Sequence, residues 1–336
     1  MKIVVFGPDK RTGVLRGADV VDISLAHAAA QGNVTGAEEA VPSELGRFIA
    51  GGDAVLAHAR AALDHLAGAS DQTGPGGEQI VFAASDVTLH APRPLGAKVA
   101  CAGGNFADHA AAMAERAAAR GDMRAFEGDA YEQIRKTGIW GFWKLDRDSL
   151  GPDGDLTYPT RAKRLDYEGE LAIVIGKQGK DIPAGDIKDY IYGVTLLGDW
   201  SARLTVEPGP LKFALQKNFD DCCSIGPCIL VDDGTEDAVD PFDAEVETLV
   251  NGERRQHYST KDMVFTFGEY LEHLSRDFTF YPGDLIAGGT AAGTASDSGP
   301  LLEDGTPAPE PFLKPGDVAE IRNPVIGTLR ANIVAK

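Results

Sequence analysis

Cysteine is scarce: only four of 336 residues, and their placement excludes two structural devices. Cys222 and Cys223 are adjacent, Cys228 follows nearby and Cys101 stands far upstream, which fits neither a disulfide framework nor paired zinc-binding spacing. Reduced thiols in the cytoplasm are the expectation. Basic residues are also in deficit, 32 Lys and Arg against 51 Asp and Glu, for a formal net charge of −19. That balance repels nucleic acid and anionic membrane alike, so neither is expected as a partner. No apolar run approaches the roughly 20 residues needed to span a bilayer, and the stretch opening at Met1 breaks after a few residues. Absent motifs narrow the chemistry further. There is no phosphate-binding G-x-x-x-x-G-K-[ST], no G-x-G-x-x-G between strand and helix, and no G-x-S-x-G nucleophile elbow.

What is present fills a core: 43% of the residues are hydrophobic, enough for one large or two modest domains. Residues 2–6 and 19–23 read as short strands, and Leu45, Phe48, Ile49, Leu56 and Leu63 carry helical spacing. These predict a small N-terminal α/β domain over 1–80, ending in the turn-rich segment Ala69 to Glu78. The main domain, 81–336, shows strand-like runs at 98–102, 171–176, 191–198, 227–231, 245–250, 284–287, 317–322 and 327–334. Turn signals such as Asn251-Gly252 and Pro315-Gly316 separate them. Helices are few, over Ala107 to Arg120, Asp129 to Arg135 and Asp262 to Ser275. The fold class is therefore α+β and β-dominated rather than doubly wound.

The chemistry concentrates in Leu165 to Leu171, Leu-Asp-Tyr-Glu-Gly-Glu-Leu, and in Asp199, 29 positions after Glu170. On an extended chain, residues two apart share a face, so Glu168 and Glu170 point the same way. Gly169 between them permits close approach of another group. Three carboxylates without histidine or cysteine favour Mg²⁺ or Mn²⁺, with Ca²⁺ also compatible, over zinc or copper. The alternative is a solvated strand that happens to carry two glutamates.

Further segments fall into a recognisable order. They are Cys-Ala-Gly-Gly-Asn-Phe-Ala-Asp-His at 101–109, Phe-Trp-Lys at 142–144, Asp-Tyr-Glu-Gly-Glu-Leu at 166–171 and Gly-Asp-Trp-Ser-Ala-Arg at 198–203. Lys-Asn-Phe-Asp at 217–220, Val-Asn-Gly-Glu-Arg-Arg-Gln at 250–256, Tyr-Pro-Gly-Asp at 281–284 and Gly-Gly-Thr at 288–290 continue it. The series resembles the fumarylacetoacetate hydrolase family over residues 98–336. The resemblance implies a mixed β-roll catalytic domain, a divalent ion on Glu168, Glu170 and Asp199, and a homodimer. It also implies a 2-oxo acid substrate, cleaved as an acylpyruvate by a C–C hydrolase. A bidentate 2-oxo acid can occupy open positions on an oxygen-ligated ion, which then serves as electron sink for the departing pyruvate carbanion. The same stabilisation serves decarboxylation, hydration and dehydration, so a lyase stays open, as does a silent metal-binding member.

His109 is the candidate general base, since imidazole as a group can take a proton from water at neutral pH. Family members that keep a local carboxylate partner carry Glu three residues later, where this chain has Ala112. Glu115 lies around the helix from His109, whereas Arg116 shares its face nearly two turns away. Glu127, Asp129 and Glu132, in a lid-like segment, are the remaining carboxylate candidates, and catalysis without a partner is the alternative. By resemblance Lys217 is catalytic, while Lys144, Arg203 and Thr290 contact substrate. Arg203 and Lys144 are equally readable as supports for the carboxylates. Trp140, Phe142 and Trp143 read as core aromatics or as an apolar substrate wall. Cys222 and Cys223 read as small buried hydrophobes rather than nucleophiles.

Overall fold

The computed structural model describes residues 1–32, 40–69, 72–119, 121, 126, 128–145, 147–203, 212–232, 234, 238–303 and 305–336. One large sheet runs β4 (Val81–Ala83), β3 (Asp19–Asp22), β2 (Arg11–Arg16), β1 (Lys2–Phe6), β13 (Cys223–Leu230), β11 (Ile191–Asp199), β10 (Gly169–Ile175), β16 (Leu285–Ala287), β6 (Val99–Ala102) and β7 (Gly141–Lys144). The short β5 (Leu89–His90) pairs with β1. A five-stranded sheet runs β15 (Glu253–Ser259), β14 (Glu245–Val250), β17 (Val318–Asn323), β18 (Gly327–Val334) and β8 (Gly154–Thr157). A third sheet pairs β12 (Ser201–Arg203) with β9 (Arg164–Asp166). Both larger sheets are mixed, because β16 pairs parallel with β6 and β18 parallel with β8.

Eight helices are used below: α1 (Ile23–Ala30), α2 (Leu45–Ala50), α3 (Gly52–Gly68), α4 (Ala107–Ala119), α5 (Ala130–Thr137), α6 (Lys212–Lys217), α7 (Phe267–Ser275) and α8 (Ala295–Ser298). The stretch read as one helix around Leu45 to Leu63 is two, α2 and α3, broken at Gly51-Gly52, where Gly52 adopts φ +54°. That left-handed conformation suits glycine. Alanine dominates α4, the best helix former, and Asp129 caps α5 by accepting from the Glu132 amide. Thr266 and Glu269 close a reciprocal capping box at the start of α7, which therefore begins five residues later than its periodicity predicts.

Alternation along the strands sorts the large sheet into two buried faces. Ile3, Val5, Ala172 and Val174 pack with Phe48, Ile49 and Leu56 of α2 and α3. Val4, Phe6, Leu171 and Ile173 face the opposite way and pack with Val246, Ile321 and Leu329 of the five-stranded sheet. Every residue of β10 is buried. Truncating one of its leucines or isoleucines to alanine removes about 2–5 kcal/mol. Within residues 1–80, β1 joins the same sheet by pairing β13 at Lys2↔Leu230 and Ile3↔Ile229. No helix among the described residues is long and apolar enough to cross a membrane.

Candidate metal centre and active site

The centre forms where β10 begins and β11 ends. These strands run antiparallel with Gly169 opposite Gly198 and Glu170 opposite Leu197, so the start of one lies beside the finish of the other. Glu168, Glu170 and Asp199 meet there, buried, each offering an oxygen within 4.8 Å of the others. The Asp199 amide donates to the Glu168 carbonyl at 2.9 Å, which fixes the two acids' spacing through the backbone. Gly169 is required at this point: a Cβ would sit 2.1 Å from Thr248 Oγ1 of β14. The close approach anticipated at this glycine is thus by the second sheet.

Three cations and a fourth carboxylate surround the triad. Lys217, at the end of α6, donates to Glu168 Oε2, Asp199 Oδ2 and Ser201 Oγ, each at 2.7 Å. Arg203 of β12 bonds Asp166 Oδ2 through Nε at 3.0 Å and pairs with Glu168 through its second arm. Lys144 of β7 pairs with Asp199 Oδ1 and donates to the carbonyls of Trp200, Lys217 and Cys222. Burial alone would raise Glu168, but Lys217 and Arg203 hold it well below the carboxylate range. Burial would likewise lower Arg203 and Lys144, and their carboxylate partners outweigh it in both.

Glu170 goes the other way: burial, then Asp199 and Glu168, push it well above the usual value. The Gly289 amide donates to it at 2.9 Å. Among the described residues no ammonium or guanidinium bonds Glu170, so its ionised form lacks a partner charge. A divalent cation bound there would supply that charge. The all-oxygen donor set fits a hard ion. Glu168, Glu170 and Asp199 would hold it.

His109, on the first turns of α4, places Nδ1 2.6 Å from Asp297 Oδ2. Asp297 lies 188 residues downstream on α8, and its carboxylate is nearly inaccessible. The Gly293 amide donates to its other oxygen at 3.0 Å, and Thr294 caps α8 by accepting from its amide. Arg116, seven residues after His109 and so on the same helix face, donates Nε to the Asp297 carbonyl at 2.9 Å. Thus α4 holds Asp297 at two points. The carboxylate missing at Ala112 comes from the segment after β16. Asp129 instead caps α5, Glu132 is exposed, and Glu127 lies outside the described residues.

The Gly-rich segment 287–298 wraps around the acids. The Gly289 amide reaches Glu170, the Ala295 amide donates to Asp166 Oδ1 at 2.8 Å, and Tyr167 donates its hydroxyl to the Gly293 carbonyl. Thr290 donates to the Gly169 carbonyl and accepts from Gln256.

A cavity of about 510 Å³ opens over the centre, with His109, Glu168, Arg203, Lys217 and Thr290 in its wall. Lys144, readable from sequence as a substrate contact or as a support for the carboxylates, is not in that wall: its ammonium is fully enclosed behind Asp199. Lys217 and Arg203 reach the cavity with their nitrogens already bonded to carboxylates. Trp140 and Phe142 line the cavity, whereas Trp143 packs against Phe278 and Phe280. Cys222 and Cys223 are buried. Asp297 and Asp166 were not singled out by sequence reasoning. Asp166 lies inside the motif at 166–171, and Thr294-x-x-Asp297 has the spacing of a helix cap, the one local sign that Asp297 is placed by structure.

Known proteins share this arrangement of the chain. The family described as "Fumarylacetoacetate (FAA) hydrolase C-terminal" matches residues 98–334. The chain is 33% identical over 298 residues, 88% of each protein, to a Bacillus subtilis protein named oxaloacetate tautomerase YisK. Among solved structures, a fumarylacetoacetate hydrolase from Exiguobacterium antarcticum superposes with TM-score 0.67 at 27% identity, covering all of both chains. A Mycobacterium smegmatis structure described as 5-carboxymethyl-2-hydroxymuconate delta-isomerase gives TM-score 0.57 at 30% identity, covering 76% of this chain and 85% of that one. The names span tautomerase, hydrolase and isomerase. The matched region contains every residue of the carboxylate cluster and of the His109–Asp297 pair, and the chain belongs to the fumarylacetoacetate hydrolase family.

Proposed function

We propose that the protein is a hydrolase that uses Mg²⁺ or Mn²⁺ to cleave an acylpyruvate, a 2,4-dioxo acid, into pyruvate and a carboxylic acid. The observation that carries this reading is the His109–Asp297 pair in the wall of the cavity that also exposes Glu168. The ion, when bound, supplies Lewis-acid polarisation of the 2-oxo acid and offsets charge on the pyruvate fragment.

The chain's own groups account for the proton movements. Asp297 accepts Nδ1–H, which fixes the imidazole and leaves Nε2 with its lone pair. Nε2 takes a proton from water, and the hydroxide adds to the distal carbonyl carbon. The bond between C3 and that carbon then breaks, releasing the carboxylic acid. The electron pair left on C3 takes the proton back from His109, giving pyruvate. One water is consumed, with no oxidant or reductant. Asp297 stabilises the imidazolium between the two transfers.

Tautomerisation of a 2-oxo acid is the second reading, favoured by the Bacillus subtilis relative. It needs no water, since one base can carry a proton between C3 and the carbonyl oxygen. The deciding experiment incubates Mn²⁺-loaded protein with acylpyruvates and with oxaloacetate. Pyruvate and free acid are quantified, and the enol is followed by its ultraviolet absorbance, beside Glu168→Ala. Pyruvate with equimolar acid establishes the hydrolase. Enol decay without cleavage establishes the tautomerase. CO₂ release would replace both with a decarboxylase.

A further inference from the structure

The cavity has two unlike ends. All the charged residues described in its wall, His109, Glu168, Arg203 and Lys217, lie at the centre itself. Away from them the wall passes along α4 to α5 and is made by Met113, Ala114, Ala117, Phe126, Ile134 and Trp140. From His109 to Ala117 it follows eight residues of helix, about 12 Å at 1.5 Å per residue.

Two features make this space rather than packing. Positions 110, 113, 114 and 117 share one face of α4, and three of the four are alanine, whose short side chains leave room that larger ones would fill. Trp140 is held over Gly103, where a Cβ would come within 2.7 Å of its ring, and its indole stands edge-on to Phe213 at 5.8 Å. Phe213 in turn contacts Phe142 at 5.4 Å. The result is an aromatic wall facing an alanine floor. The polar exception, Thr137, donates its hydroxyl to the Gln133 carbonyl within its own helix.

We propose that this far end is a subsite for an apolar acyl group, so that the substrate is a 2-oxo acid with an alkyl or aryl tail and not a dicarboxylate. The inference rests on the reading of the near end as a 2-oxo acid site. A second carboxylate in the far end would lose its hydration, with no cation among the described wall residues there to replace it. An alkyl chain gains from the same transfer. Ala114 and Met113 set the depth of the subsite.

N-alkyl oxamates carry a 2-oxo acid head and a tail of chosen length, and they do not react. Their binding to Mn²⁺-loaded protein is measured calorimetrically from oxamate through N-hexyl oxamate, with N-carboxypropyl oxamate for comparison. Each methylene is expected to tighten binding about three- to fourfold until the subsite is full. Ala114→Phe should flatten the series relative to oxamate. Met113→Ala, which only removes atoms from the cavity wall, should move the best chain to a longer one. Oxamate binding with no gain from the tail, or a tighter carboxypropyl compound, overturns the apolar subsite and leaves the 2-oxo acid reading standing. Failure of every oxamate to bind, head alone included, overturns that reading and the subsite with it.

Discussion

His109 and Asp297 are separated by 188 residues, yet their side chains meet at 2.6 Å, and Arg116 ties the Asp297 backbone to the helix that carries His109. Replacing Asp297 by Asn keeps the shape and removes the charge that orients and stabilises the imidazole. Turnover should fall about 10²–10⁴-fold, with little change in circular dichroism. The His109→Gln, Asp297→Asn double variant should be no slower than the worse single one, because the pair acts as a unit. Additive losses would show that Asp297 does not act through His109.

Ion binding should reverse the effect of Glu170→Gln on stability. Without added metal, the substitution removes a carboxyl whose charged form is penalised by burial, Asp199 and Glu168, so the variant should melt at or above the wild-type temperature. With Mn²⁺ at one hundred times its Kd, the wild type should gain about 2.7 kcal/mol and the variant much less. Thermal melts of both proteins in chelator and in Mn²⁺ read the crossover. Equal stabilisation by Mn²⁺ would place the ion elsewhere.

Lys144→Met tests the enclosed cation. The change strips Asp199 of one of its two ion-pair partners, Lys217 remaining, and removes a donor from three carbonyls, inside a region closed to water. Unfolding in urea should show a loss of about 3–5 kcal/mol, the cost of breaking a buried ion pair from one side. A loss under about 1 kcal/mol, within the range of exposed pairs, would mean that Lys144 contributes little.

His27 should make the N-terminal helices acid-sensitive. It is 2% exposed on α1, its Nδ1 has no hydrogen-bond partner among the described residues, and its ring lies 5.2 Å from that of His58 on α3. Burial, then His58, lowers its pKa in the folded protein. The unfolded chain therefore binds the proton more readily, so stability is full above the ordinary value near 6.5 and falls as pH drops below it. The melting temperature between pH 8 and 5 should decline less steeply in His27→Leu than in the wild type. Parallel curves would exclude His27 as the source.

Local pattern sufficed for the carboxylates because their spacing belongs to the strand itself. A glutamate pair two apart shares a face on any extended chain, and the apolar run of β10 announces a strand buried on both sides. The same reasoning placed α4 with His109 near its start, and the ordered motifs pointed to the family. The two-face division of the large sheet follows from the alternation of Ile3, Val4, Val5 and Phe6. Which strand lies next to β1 does not follow, since the register with β13 joins residues far apart in the chain.

The identity of each cation's partner and of the carboxylate beside His109 was decided only by tertiary structure. Sequence left Lys144 open between a substrate contact and a support for the carboxylates, and the fold put it behind Asp199, because β7 reaches the far side of the carboxylate from the cavity. Sequence sought a partner for His109 within one helical turn or in the next acidic stretch, since only local periodicity is visible there. Asp297 answers from the other end of the domain because β16 pairs with β6 and so brings the segment that follows it over α4. Helical periodicity fixes which residues share a face. Contacts between distant segments depend on how sheets pair and pack, and that is where the base, its carboxylate and the apolar cavity come together.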